Sequence, residues 1–383
     1  MSDLSRSVAI VGVAESDEVG KIENKSNLQF HAEAAYNAIN DAGMKPSDID
    51  GIVTAGTSTL NTAEFLGLNK IKYTDSTSVG GSSFEIHIAH AMAAINAGYC
   101  ETVLVTHGEA GRSARNRPGP NLSDPASQYE IPYGFIGMPI NYSMACRRYM
   151  HLYGEERTRQ ALAEIAVSTR KWALKNPKAY MKDPMTFDDY HESRWVAWPF
   201  HLMDCCLVTD AGAAIVVTSI EKAKDTKKNP IKILGVGEGH DHGSLISQMP
   251  DLTRTFGRNT GPRALEMAGL DYKDIDLAMI YDSFTHTVLV TLESLGFCGP
   301  GEGPDFVANQ VTAPGGSFPL NTSGGGLSYT HPGMYGIFTV IEAVRQLRGE
   351  TGERQLDKCD IALAHGTGGL LSSTGTVLLT SNN

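Results

Sequence analysis

The sequence predicts an α/β protein of two repeated halves, stacked as five layers, α/β/α/β/α. Three echoes between the halves carry that reading. "VAIVGVAES" at 8–16 returns as "IKILGVGEG" at 231–239. "AAYNAINDAGMKPSDIDGIV" at 34–53 returns as "PRALEMAGLDYKDIDLAMI" at 262–280, sharing Ala-Gly, a short turn and Asp-Ile-Asp. More loosely, "CETVLVTHG" at 100–108 returns as "CDIALAHG" at 359–366. The order is the same in both halves, and the offset is far too long for a solenoid. The halves are expected at 1–220 and 221–383, joined by the linker "SIEKAKDTKKNP" at 219–230.

The elements follow in order. "VAIVGV" is a short apolar run with β-branched residues, hence a buried strand. "LQFHAEAAYNAINDAG" has helical spacing and ends at Gly43, a natural C-cap. "IDGIVTAG" and "TVLVTHG" read as further buried strands, with "FEIHIAHAMAAINAG" as the helix between them. Strands alternating with helices predict a largely parallel sheet covered on both faces. Residues 110–200 interrupt the repeat. "RSARNRPGPNLSDPASQYEIPYG" is rich in Pro, Gly, Asn and Ser, and 140–175 reads as helical, an insertion long enough to lid a site.

Composition removes several function classes. A formal net charge of −11 argues against nucleic acid and against adsorption to an anionic membrane. No segment has the apolar length of a membrane span, and the start lacks a signal-peptide pattern, so a cytoplasmic location is expected. None of the six cysteines forms a CxxC pair, so neither zinc nor dithiol redox chemistry is indicated. His240 and His242 in "GHDHG" have no carboxylate or His partners at ligand spacing, and no metal is expected. The chain has no P-loop, and no GxGxxG opens a helix after a strand.

Four stretches bring these halves together with a known family. "NPKAY" at 176–180, "SRWVAWPFHLMDCCLVTDAGAAIVV" at 193–217, "GGSFPLNTSGGGLSYTHPGMYG" at 315–336 and "LAHGTGG" at 363–369 resemble the thiolase superfamily, in its sterol-carrier-protein-X branch. The resemblance covers nearly the whole chain and implies the thiolase fold. It also implies where the reacting groups belong. The family's nucleophilic Cys falls on Ser78 in "TDSTSVGGSSF", with Gly80 and Gly81 as substrate or oxyanion lining. A His beside Asp becomes Tyr281 beside Asp282 in "MIYDSFT". His331 of "THPGMYG" is kept, with Tyr335 one turn on. The second Cys becomes His365, followed by Gly366, Gly368 and Gly369.

With both cysteines gone, thiol-based acyl transfer loses its nucleophile. What remains (Tyr281, Tyr335, His331, His365 and Asp282) suits proton transfer and carbonyl polarisation. Retro-aldol cleavage of a β-hydroxyacyl-CoA needs only that, because the enolate puts its charge on the oxygen a thiolase oxyanion hole would hold. Among thiolase-like proteins the resemblance is closest to the steroid side-chain aldolases. It implies Tyr281 and Tyr335 as the acid/base pair, lined by the two histidines. Coenzyme A enters as part of the substrate, with no bound cofactor. The resemblance further implies a homodimer pairing the strand "TVLVTH" across a two-fold axis. It implies as well a small OB-fold and zinc-ribbon partner completing a heterotetramer. Arg112, Arg115 and Arg117 in "GRSARNRPG" suit CoA phosphates, an acidic partner surface or a solvated loop alike. His87, His90 and the pair Cys205–Cys206 read as core or interface residues, and Tyr329 competes with Tyr335 for the site. Two other readings stay open: an acyltransferase using Ser78 or water, and a non-catalytic acyl-CoA-binding subunit.

Overall fold

A computed structural model describes residues 4–114, 123–243 and 245–382. The first half runs β1 (Val8–Glu15), α1 (Asn27–Ala42), β2 (Gly51–Thr54), α2 (Thr59–Phe65), β3 (Tyr73–Asp75), α3 (Ser83–Asn96) and β4 (Thr102–Ala110). An insertion follows: α4 (Pro125–Tyr129), α5 (Met138–Tyr153), α6 (Glu155–Leu174), α7 (Phe187–Glu192) and a hairpin of β5 (Trp195–Ala197) and β6 (Phe200–His201). The chain returns in β7 (Asp210–Ser219) and α8 (Ile220–Ala223). The second half is β8 (Ile231–His240), α9 (Gly257–Ala268), β9 (Leu277–Ile280), α10 (Thr285–Leu295), α11 (Gly303–Phe306), α12 (Gly336–Arg348), β10 (Ile361–Gly368) and β11 (Ser373–Thr380).

The repeat is visible turn by turn. Both α1 and α9 stop at a left-handed glycine, Gly43 (φ 72°) and Gly269 (φ 67°), where any other residue would be strained. Each is followed by a single 3₁₀ turn, Pro46–Asp48 or Tyr272–Asp274, and then by β2 or β9.

The strands lie in the order β3-β2-β4-β7-β1-β8-β11-β10-β9. In the sheet the two halves meet at β1 and β8, where Ala9 pairs with Lys232 and Ile10 with Ile231. Period-two alternation sorts the side chains. Val103, Val105, Ile215 and Val217 point inward to α3 and α12, whereas Leu104, Ala214 and Val216 point outward to α1. In the second half Ala362, Ala364 and Val377 face inward, and Leu363 and Leu378 face outward with Leu265, Val288 and Leu292. Helices α3 and α12 thus form the middle of five layers, touching strands of both halves.

Two expectations are corrected. The sheet is mixed: parallel pairing is confined to β2 with β3 and β4, and to β9 with β10. The strands that close each half, β7 and β11, return antiparallel between their neighbours. The strand "TVLVTH" is β4, whose two edges are already taken by β2 and β7, so it has no free ladder for a second copy. Among the described residues the open edge of the first half is β3. No described helix is long and apolar enough to cross a membrane.

Candidate active site

The site gathers at the C-terminal ends of β9 and β10, under the start of α3. Strand β9 delivers Tyr281 to the inner face because Leu277 and Met279 point the same way. The Tyr281 main-chain N–H donates to the His365 carbonyl at 2.9 Å, fixing where the ring leaves the sheet. Its hydroxyl shares a 2.7 Å hydrogen bond with His331 Nε2, and the two rings stack 7° from parallel. Tyr335 extends the stack with centroids 5.8 Å from Tyr281 and 6.3 Å from His331, and Phe338 closes it. The Tyr335 hydroxyl is bonded to Ser323 Oγ at 2.9 Å. All three are nearly sealed, with Tyr281 5%, His331 8% and Tyr335 0% exposed.

Burial sets the protonation states, because it disfavours charge. It holds the His331 imidazole down at about 4 and both phenols well above their ordinary range. At neutral pH the cluster is a neutral imidazole packed with two neutral phenols.

Asp282 is fully buried, and its carboxylate is taken up by main-chain donors. Its carboxylate accepts from the main-chain N–H groups of Gly326 (2.6 Å) and Leu327 (3.1 Å), pinning the glycine-rich turn that precedes His331. A methyl on Gly325 would lie 2.0 Å from that carboxylate, so the turn requires glycine there. Burial raises the Asp282 carboxyl to about 7 against the pull of those two donors.

Gly80 (φ 82°) and Gly369 (φ 59°) meet back to back: a methyl on Gly80 would sit 2.6 Å from Gly369 N, and one on Gly368 1.9 Å from the Val79 carbonyl. Gly81 lies against the Tyr281 ring. A methyl there would be 2.2 Å from Tyr281 Cε1 and 2.6 Å from the Thr367 carbonyl. Ser83 Oγ, donating to the Gly80 carbonyl at 2.6 Å and accepting from Val79 N–H at 3.0 Å, locks the turn.

Two expected residues fall elsewhere. Ser78 is exposed, five residues before α3 begins, and not among the stacked groups. The Gly80–Gly81 turn, not Ser78, occupies the place beside Tyr281. His365 sits on the outward face of β10, where Nδ1 is bonded to Thr376 Oγ1 at 2.8 Å and the ring lies toward Gly257 of α9. Strand alternation puts it opposite Ala364 and Gly366, so only its carbonyl reaches the site. Tyr329 also turns away: its hydroxyl donates to Glu15 Oε1 at 2.8 Å, beside the Glu15–Arg345 ion pair. Arg112 is exposed, its guanidinium over the Tyr180 ring and donating to the Val208 carbonyl. Arg115 and Arg117 lie outside the described residues.

Elsewhere, His87 bonds the Thr77 carbonyl at 2.8 Å, whereas His90 bridges Asp75 in β3 and Glu238 in β8, joining the halves. These two carboxylates raise His90 to about 10.

Sequence reasoning misses four neighbours. Ser323 lies inside "LNTSGGG", where nothing sets it apart from the small residues around it. Glu109, next to last in β4, lies against Gly333, where a methyl would meet its carboxylate at 2.0 Å, and burial raises its carboxyl. Strand ends are where open α/β sheets bind ligands, so the position of Glu109 is itself a readable signal. His107 bonds the Pro332 carbonyl at 2.8 Å. Tyr142, from α5 of the insertion, donates to the Gly369 carbonyl at 3.0 Å, and no motif marks it.

Comparisons with known proteins identify the family. Residues 237–381 match the family model "Thiolase C-terminal domain-like". A steroid side-chain-cleaving aldolase of Thermomonospora curvata is 35% identical, over 99% of this chain and 99% of that one. The 17-hydroxy-3-oxo-4-pregnene-20-carboxyl-CoA lyase of Mycobacterium tuberculosis is 34% identical, over 98% of this chain and all of its own length. The solved Ltp2-ChsH2(DUF35) aldolase superposes with a TM-score of 0.91 at 32% identity, over 99% of both chains.

Proposed function

Since the chain belongs to the thiolase superfamily, among its side-chain-cleaving aldolases, we propose that it cleaves a β-hydroxyacyl-CoA by retro-aldol chemistry, with a steroid side-chain thioester as the substrate class. It is an aldolase-type carbon–carbon lyase acting on acyl-CoA. The observation that carries the chemistry is the buried Tyr281–His331 hydrogen bond, packed against the Gly80–Gly81 turn.

The step balances without a covalent intermediate. The β-hydroxyl gives its proton to the Tyr281 oxygen as Tyr281 hands its own to His331 Nε2, a neutral acceptor. The Cα–Cβ bond breaks, leaving a ketone, and its electron pair passes into the thioester enolate. Tyr335, held by Ser323, stands close enough in the stack to supply the proton that converts the enolate to the shortened acyl-CoA. The proton kept on His331 then replaces the one Tyr335 has spent. The start of α3 and the Gly80–Gly81 turn favour the enolate charge.

The acyltransferase reading lacks a nucleophile: Ser78 is exposed, and Gly81 has no room for any side chain. Coenzyme A belongs to the substrate, and Arg112 and Arg115 remain the candidates for its phosphates. We place the protein in the cytoplasm, in keeping with its six free cysteines.

A DUF35-type partner, with the OB-fold and zinc ribbon that the family resemblance implies, completes a heterotetramer in this reading. The insertion supports it by exposing Tyr129, Tyr133, Ile136, Met138, Trp195 and Trp198, large side chains normally covered at interfaces. The homodimer at its centre pairs through β3.

The test supplies the protein and such a partner with a β-hydroxyacyl-CoA, and separately with a β-ketoacyl-CoA plus free CoA. Ketone and shortened acyl-CoA are expected from the first alone. CoA-dependent cleavage of the second, with the first untouched, would overturn the reading.

A further inference from the structure

Glu85 lies in the first turn of α3, 1% exposed, at the centre of the five layers. Its Oε1 accepts from Thr339 Oγ1 of α12 at 2.8 Å, and its Oε2 has no partner. Three glycines make room for it. A methyl on Gly366 would lie 2.2 Å from Oε2, one on Gly336 2.5 Å from Oε2, and one on Gly375 2.7 Å from Glu85 Cβ. The Gly336 methyl would also lie 2.1 Å from the Gly81 carbonyl oxygen, so that carbonyl and the free Oε2 border the same glycine.

The charged and titratable groups on the packed elements have partners of their own, among them Glu238 of β8 with His90 of α3, and His107 of β4 with the Pro332 carbonyl. On α3, His87 is turned to the Thr77 carbonyl. On α12, Glu342 is paired with Arg354. His365 of β10 and Thr376 of β11 bond each other on the outward face. At the end of β9, Asp282 is held by main-chain donors. Tyr281 feels Glu85, and a charge there would hold its proton on more tightly. An unpaired carboxylate in this place would cost several kcal/mol of desolvation, on the order of the penalty for a lone buried ion.

We propose that Glu85 is a positioning residue kept as a neutral carboxylic acid. Its Oε2 hydroxyl faces the Gly81 carbonyl and holds the Gly80–Gly81 turn beneath Tyr281, and cleavage fails when this proton is lost. The proposal rests on the lyase reading of the same site. Burial pushes the carboxyl up to about 8, so the acid is neutral at pH 7. Once ionised, it would oppose both the passage of the Tyr281 proton to His331 and the charge on the enolate.

The experiment measures kcat and KM for a β-hydroxyacyl-CoA from about pH 6 to about pH 10, on the full chain with its partner, for wild type, Glu85→Gln and Glu85→Ala. Wild-type kcat should fall above about pH 8, with KM little changed. Glu85→Gln, a neutral isostere, should keep activity near pH 7 and carry the alkaline limb at least about one unit higher. Glu85→Ala, which cannot bridge to Gly81, should lose about tenfold or more in kcat throughout. A Gln variant as impaired as the Ala variant, or an unmoved limb, overturns the proposal.

Melting temperature gives an arm independent of turnover. The native acid holds its proton between the ordinary value of 4.5 and about 8 whereas the unfolded chain does not, so this group's stabilisation declines as pH rises through that window. Glu85→Gln should therefore match wild type near pH 5 and melt higher near pH 8. A Gln variant melting lower at pH 8 overturns the proposal even if no lyase substrate is found, which separates its failure from that of the functional reading.

Discussion

The ring of Tyr281 fills the volume into which any side chain on Gly81 would project, so that a methyl added to Gly81 would stand only 2.2 Å from Cε1. One residue supplies the phenol, and the other must be empty for the phenol to fit.

Gly81→Ala should therefore displace Tyr281. Overpacking of this kind costs about 1–3 kcal/mol, and about 10²-fold in kcat is expected from the shifted hydroxyl. Thermal melts and steady-state kinetics check it; an alanine variant with full kcat would refute the packing argument.

Tyr281→Phe removes the shared proton and keeps the stack. It should lower kcat by about 10²–10⁴ while KM and melting temperature hold. His331→Ala should lose a comparable factor, and the double variant should lose little more, since both residues serve one transfer. Losses that multiply in the double variant would show that the two act separately.

The two neighbouring tyrosines should separate cleanly. Tyr335→Phe breaks the bond to Ser323 and should reduce kcat with a small change in stability. Tyr329→Phe removes a donor from the buried Glu15 carboxylate and should destabilise by about 1–3 kcal/mol with kcat preserved. The reverse pattern in kinetics and chemical denaturation would exchange their assignments.

His365→Ala tests strand alternation. The ring is buried against α9, so stability should fall by about 1–3 kcal/mol while kcat stays within about twofold. A kcat loss as deep as that of His331→Ala would mean the imidazole reaches the substrate.

Six of the buried histidines should make the protein acid-sensitive. Burial holds His31, His286 and His365 down at about 3, and His87, His107 and His331 at about 4. Unfolded imidazoles bind protons below about pH 6.5 whereas these do not, so the stability they contribute is present above that pH and is lost as pH falls toward about 4. Melting temperature recorded between those values should drop steadily. A flat profile would show that the native histidines titrate normally.

Much of this molecule is legible in the chain alone, because the informative features are side chains in order. The double echo of strand, helix, glycine stop and Asp-Ile-Asp defines the halves, and Tyr281, His331 and Tyr335 sit on loops whose flanking residues carry the resemblance. What escapes is direction. Ser78 attracts attention because a nucleophile should be a side chain, yet the position that matters is a glycine and leaves no mark of its own. The motif alone puts His365 in the site, although the inward alanines at 362 and 364 already imply an outward residue at 365. Antiparallel closure by β7 is hidden by the insertion, which separates it from β4 by 99 intervening residues (111–209).

Every group assigned to proton transfer, namely Tyr281, His331 and Tyr335, comes from the second half. The first half brings the Gly80–Gly81 turn, Glu109 and the insertion. The two halves thus contribute differently, the second carrying the phenols and the imidazole and the first the turn and walls packed against them. A library confined to the first half, with Gly80, Gly81 and Glu85 left unchanged, can thus vary what surrounds the thioester while Tyr281, His331 and Tyr335 stay as they are.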